Sequence, residues 1–245
     1  MDAKTRGSAL LLGAIALAML WHGPISQPAT YHQFADDRAL LGIPHAVDVL
    51  SNLGFAAVGA WGLARAAPEF RMFSVALVLT AFGSGWYHLA PDDSRLVWDR
   101  IPIVLACVGL LAAMSARTGG RLARPLPLAA SSVLAIVTVP WWWATGDLRP
   151  YILVQLAPLV LIPVWQALRQ SPRNERVAFA VTIAFYALAK IAEAADHAIF
   201  DALGFLSGHS LKHLLAAAAA AAILRACRAG PAGPPSARIS APRRT

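Results

Sequence analysis

Eight apolar runs of fifteen to twenty-one residues dominate this chain of 245 residues. They cover approximately 8–22, 46–65, 72–90, 98–116, 125–143, 150–168, 177–197 and 209–226. A bilayer's hydrocarbon core is about 30 Å thick and a helix rises about 1.5 Å per residue, so roughly 20 apolar residues span it. Within lipid the backbone must satisfy its own N–H and C=O groups, and runs of this length do so as helices. Composition agrees. The chain is 58% hydrophobic and 14% charged, against about 25% charged in soluble domains. That excludes a disordered chain and argues against a soluble globular one. The net charge of +8 does not indicate nucleic acid, because the basic residues sit in short gaps between apolar runs. Cys107 and Cys227 are too few for a disulfide framework or a cysteine-based zinc module.

The gaps predict an orientation. With a cytoplasmic amino terminus and every run crossing, the inner segments carry most of the arginines, including Arg65, Arg71, Arg117, Arg121, Arg124, Arg169, Arg173, Arg176 and Arg225. The outer segments carry Arg38, Arg95, Arg100 and Arg149, while Lys190 and Lys212 fall within runs. This is the positive-inside asymmetry, and it places both termini in the cytoplasm. The expected fold is all-α: a polytopic membrane helix bundle of seven core helices plus one extra amino-terminal helix. Residues 1–30 form that extra helix, 31–226 the membrane domain and 227–245 a disordered basic tail. Lys4 and Arg6 before the first run also fit a signal peptide, but no clean small-residue cleavage site follows, and an uncleaved helix is the preferred reading. Trp141, Trp142 and Trp143 end the fifth run, where interfacial anchors are expected. Nothing in the sequence fixes an oligomeric state.

Ionisable groups inside a span cost about 2.5–3.5 kcal/mol each on insertion scales, so each needs an account. In this orientation they share one leaflet. Asp48, Ser51 and Asn52 open the second run; Ser84 and His88 lie near the end of the third; Asp99 opens the fourth. Glu193, Asp196 and His197 close the seventh, and His209 and His213 open the eighth. His209 and His213 stand i, i+4 on one helix face, a spacing at which two imidazoles can share a metal ion. His88 is a third candidate at the same depth. Three histidines with an open position are the usual ligand set of a catalytic zinc site.

Catalysis also needs a group to carry the proton of an attacking water, and Asp99 is the candidate general base. It could instead pair with Arg100 or cap its helix. Ser84, one turn before His88, could donate to a substrate carbonyl or oxyanion; alternatively it bonds a carbonyl one turn back. A Ser84–His88–Asp99 triad leaves His209 and His213 without a role. Glu193 or Asp196 could accept from the outer nitrogen of a ligating imidazole, with Asp48 a further outer partner; equally, Lys190 and Glu193 could simply neutralise each other. His22, His32, His45 and His197 read as ordinary interfacial residues.

The ordered segments SNLGF, GSGWYH, LVWDRIP and SGHSLKH resemble the alkaline ceramidase family, within a wider superfamily of membrane hydrolases that includes the adiponectin and progestin receptor relatives. The family pattern is a serine four residues before a histidine, an aspartate eleven after it and a terminal HxxxH. Ser84, His88, Asp99, His209 and His213 fit it at every spacing. The likeness covers roughly 31–226, and the wording YHQFADDR…GIPH…DVLSN is similar to the bacterial branch. It implies Zn2+ held by His88, His209 and His213, Asp99 as base then acid, and Ser84 steadying the water or the oxyanion. The implied reaction is hydrolysis of the N-acyl amide of a membrane lipid such as ceramide, giving a long-chain base and a fatty acid. In a bacterium the membrane would be the plasma membrane, with the site on its extracytoplasmic side. Eukaryotic members carry an acidic calcium-binding segment with a glutamate; here that stretch offers Asp36, Asp37 and Asp48 but no glutamate, which argues against calcium.

Two other classes remain. One is a non-enzymatic lipid receptor or sensor with a structural zinc. The other is an ion pathway using Asp48, Lys190, Glu193 and Asp196 as a relay, which is weakened because the polar residues stop halfway across.

Overall fold

The computed structural model describes residues 3–228, and the expected tail lies outside the described residues from 229 onward. Helix α1 runs Ala3–His22, α2 Ala46–Ser51, α3 Leu53–Arg65, α4 Arg71–Leu89 and α5 Asp93–Arg117. Then follow α6 Pro125–Thr145, α7 Arg149–Leu168, α8 Arg173–Ala194, α9 Asp196–Leu203 and α10 Gly208–Ala226. A short 3-10 turn, Pro68–Phe70, leads into α4. Among the described residues there is no extended strand.

Among the described residues, six helices are long and apolar enough to cross a membrane by length and composition: Ala46–Arg65 (α2 with α3), Pro68–Leu89, Asp93–Arg117, Pro125–Thr145, Arg149–Leu168 and Arg173–Ala194. Two of the eight runs fall outside that set. The apolar stretch of α1, Arg6–His22, is shorter. Helix α10 has 19 residues, but His209, Lys212, His213 and Arg225 lower its hydropathy. Large apolar side chains point away from the bundle, with Phe82 70% and Leu134 71% exposed. Such surface suits lipid and would be a liability in water.

Local chemistry sets the helix ends. Asp92 caps α5, its carboxylate accepting from the Arg95 N–H at 2.8 Å; this places Asp99 in the second turn of α5 and not at its start. Pro125 stands in the first turn of α6, where its missing N–H is harmless, and Gly146 ends that helix at φ +73°. Ser207 caps α10 by accepting from the Ser210 N–H at 2.9 Å.

Helices α4 and α5 meet through glycine. A Cβ added to Gly83 would lie 2.2 Å from the Trp98 carbonyl oxygen, and one on Gly109 would lie 2.7 Å from the Phe73 nitrogen. With little hydrophobic drive between helices in lipid, close backbone approach of this kind contributes much of the packing. At one end of the bundle α4 finishes while α2, α5 and α10 begin, with Phe55, Tyr87 and Leu96 buried around them. Residues 23–45 lie across that end. The Leu148 N–H donates to the Ile25 carbonyl at 2.8 Å, and the Ala35 N–H donates to Asp196 Oδ2 at 2.9 Å. Asp147 also accepts from the Ile25 N–H, and its bond to Arg149 holds its carboxyl down to about 2.

Gly83→Ala is expected to force α4 from α5, at a cost of about 1–3 kcal/mol, and to lower the thermal unfolding midpoint in detergent. Gly85→Ala, whose added Cβ meets nothing within 4 Å, is the control and should leave the midpoint unchanged or raised.

Candidate metal centre

His88 comes from the last turn of α4, and His209 and His213 from the first turns of α10. All three are buried, and their ligand atoms lie within 4.8 Å of one another. The ring centroids are 4.8 Å apart for His88 and His209, 5.0 Å for His88 and His213, and 4.8 Å for His209 and His213. His88 Nε2 and His209 Nε2 are 3.3 Å apart. Two imidazole nitrogens about 2.0–2.1 Å from one tetrahedral zinc are separated by about 3.3–3.4 Å. The His88–His209 pair has that spacing, and the three clustered imidazoles are compatible with a zinc ion.

The third ring is oriented through Ser51. Its hydroxyl donates to the Asp48 carbonyl at 2.9 Å and lies 2.8 Å from His213 Nδ1. With its proton committed, the Ser51 oxygen accepts from Nδ1–H, and His213 Nε2 keeps its lone pair for a metal. The Asp48 carboxylate serves the helix that carries two of the three histidines, accepting from the Ser207 and Ser210 hydroxyls through Oδ1. A buried carboxylate below the start of α10 is also favoured by the helix dipole.

Of the two arrangements expected for the acidic residues near the centre, the structure forms the Lys190–Glu193 pair. Neither Glu193 nor Asp196 accepts from an imidazole. Asp196 Oδ1 accepts from the His209 backbone N–H at 2.7 Å, fixing the chain rather than the ring. Glu193 pairs with Lys190 at 2.6 Å and with Lys212 at 3.1 Å. Lys212 Nζ also lies 3.0 Å from His209 Nε2.

Ser84 is buried one turn before His88. Thr80, one turn earlier, donates to the Ala76 carbonyl at 2.8 Å, whereas among the described residues Ser84 shows no hydrogen bond to a backbone carbonyl. Its neighbour is instead the Asp99 carboxylate across the α4–α5 contact. Asp99 neither caps its helix nor joins an ion pair among the described residues. Arg100 turns elsewhere: its Nη2 donates to Gln27 Oε1 at 2.7 Å, and its guanidinium lies 3.8 Å from the Trp142 ring centre. Ser84 and Asp99 thus adjoin each other at the histidine end of the bundle.

Two features of the 23–45 segment have no motif behind them. Phe34 packs over the centre, its ring 4.8 Å from that of His88 and 4.3 Å from that of His209. His32 bridges Tyr87 Oη at 2.8 Å and Asp93 Oδ1 at 3.1 Å, and His45 Nδ1 lies 3.2 Å from the Asp36 carbonyl. Neither histidine is a free interfacial residue. Asp36 itself is buried against Arg38, whose guanidinium holds the carboxyl below its usual range. Asp37, next to it in the chain, has no ion pair among the described residues.

Against known proteins, no family model, curated protein or solved structure gives a match.

Purified protein should contain close to one zinc per chain by elemental analysis, and His213→Ala should lose it. Ser51→Ala should keep the fold but weaken zinc affinity by about 10–100-fold, the usual effect of removing a partner from a ligating imidazole.

Proposed function

We propose that this chain is a zinc-dependent membrane hydrolase that cleaves the N-acyl amide bond of a lipid such as ceramide. The observation that carries the reading is the convergence of His88, His209 and His213 at the bundle end where Ser84 and Asp99 adjoin. The resemblance of these five residues to the alkaline ceramidase pattern supports the same assignment. Zinc held by the three imidazoles would supply Lewis acidity, acidifying water and polarising the amide carbonyl. Asp99, free of an ion pair, takes the proton of the attacking water and returns it to the leaving nitrogen. Ser84 donates to the carbonyl oxygen as negative charge gathers there. Phe34 covers one side of the centre, and the segment that bears it keeps bulk water away from that side.

In this reading α1 and α10 cross the bilayer with the six more apolar spans. The arginine distribution puts both termini in the cytoplasm and the centre in the outer leaflet. A lipid amide then arrives sideways from the membrane, with its head group at the depth of the zinc. For a bacterial chain this membrane is the plasma membrane. Asp36 is committed to Arg38, and the Asp48 carboxylate to two serines, so the proposal includes no calcium.

A lipid receptor with a structural zinc is the second reading, favoured by the near-complete burial of all three rings. The two separate on one experiment. Full-length protein incubated with a fluorescent N-acyl sphingoid lipid should release fatty acid, and Asp99→Asn should abolish release by at least about 100-fold, the lower range for loss of a general base, while retaining zinc. Retained zinc with no hydrolysis of any lipid amide would favour the receptor.

A further inference from the structure

Lys212 has no role in the chemistry above, yet it is the cation nearest the centre. It lies on the α10 segment that bears both ligating histidines, three residues after His209. Its ammonium is 3.0 Å from His209 Nε2 and 3.1 Å from Glu193 Oε1. Glu193 is shared, because Lys190 approaches its other oxygen at 2.6 Å. Asp99 and Asp48 are also within electrostatic range of Lys212. Two ammonium groups therefore face three carboxylates, Glu193, Asp99 and Asp48, before any metal is counted. A zinc ion adds two positive charges, of which these side chains offset only one.

An imidazole nitrogen that ligates a metal has no lone pair left for an ammonium. Lys212 then keeps Glu193 as one partner and has donors to spare. An ammonium 3.0 Å from the ligand nitrogen lies within about 5 Å of whatever that nitrogen holds, given a bond of about 2 Å. A donor so placed in low dielectric favours an anionic oxygen close to the scissile bond.

We propose that Lys212, steadied by Glu193, anchors a carboxylate on the carbon next to the amide nitrogen, so that the preferred substrates are N-acyl amino acid lipids rather than neutral ceramides. This deepens the amidase reading and rests on it. The geometry selects a short tether: the carboxylate of an N-acyl amino acid is separated from the acyl carbon by only the amide nitrogen and the α-carbon. A phosphate on a longer head group would fall beyond that reach. In the reaction the C–N bond breaks and the water oxygen joins the acyl carbon. Both water protons leave on the nitrogen, giving a fatty-acid carboxylate and an ammonium-bearing amino acid.

Binding tests this separately from turnover. Two sulfonamides that resist hydrolysis serve as probes, dodecanesulfonyl-glycine with a carboxylate and dodecanesulfonyl-ethanolamine without one. Zinc-loaded full-length protein in detergent should bind the acidic probe at least about tenfold more tightly. Lys212→Met should erase that preference while retaining zinc and leaving the neutral probe's affinity within about twofold, and Lys212→Arg should restore most of it. Equal binding of the two probes by the unaltered protein, or a preference that survives Lys212→Met, overturns the proposal. Matched N-lauroyl-glycine and N-lauroyl-sphingosine then report on turnover. Faster cleavage of the acidic amide supports the proposal, and faster cleavage of the neutral one contradicts it. Acid-selective binding with no cleavage of either amide would overturn the amidase reading alone.

Discussion

Three basic rings buried against one another constrain the rest of this bundle. Imidazoles with nitrogens 3.3 Å apart cannot all be left with lone pairs facing inward, because an unmet polar atom in low dielectric costs about 1–3 kcal/mol. One shared cation would answer for all three. That solution requires α4 and α10, far apart in sequence, to end and begin at one level. The groups around them serve this need: Ser207 caps α10, the Asp48 carboxylate holds Ser207 and Ser210, and Asp196 fixes the His209 backbone. Gly208 completes the arrangement, since a Cβ there would lie 2.1 Å from the Ala192 carbonyl oxygen. The first turn of α10 is thus tied to both α2 and the α8–α9 junction.

Much of this was legible from residue spacing alone. His209 and His213 stand one helical turn apart, and that period survives any detail of packing. His88 and Ser84 share a face for the same reason, and the depth of a polar residue in an apolar run follows from counting. The span boundaries were less legible. Asp99 looked like a helix start because the apolar run begins beside it, whereas the Asp92 cap extends α5 by more than a turn beyond that run. Helix α10 is less apolar than the other spans because of polar residues that include two of the three clustered histidines.

The least legible parts depend on contacts between segments distant in sequence. Phe34 sits in a loop with no periodicity, and only the closed fold shows that it covers His88 and His209. Ser51 is 162 positions from its imidazole partner. The acidic residues were correctly placed near the centre, and the Lys190–Glu193 pair was one of the two expected arrangements, but spacing gives the face a side chain occupies and not the atom it reaches. Glu193 found ammonium groups, and Asp196 found a backbone N–H.

Arg100 shows what an aromatic surround can achieve that a counterion cannot. Its guanidinium lies 3.8 Å from the Trp142 ring centre and 5.0 Å from that of Tyr151, with Gln27 as a neutral acceptor. The quadrupoles of the rings absorb the positive charge without taking up a carboxylate. Asp99, its immediate neighbour in the chain, is consequently spared from neutralising it. In the proposed hydrolysis, the acid's oxygens would then remain available for protons in transit.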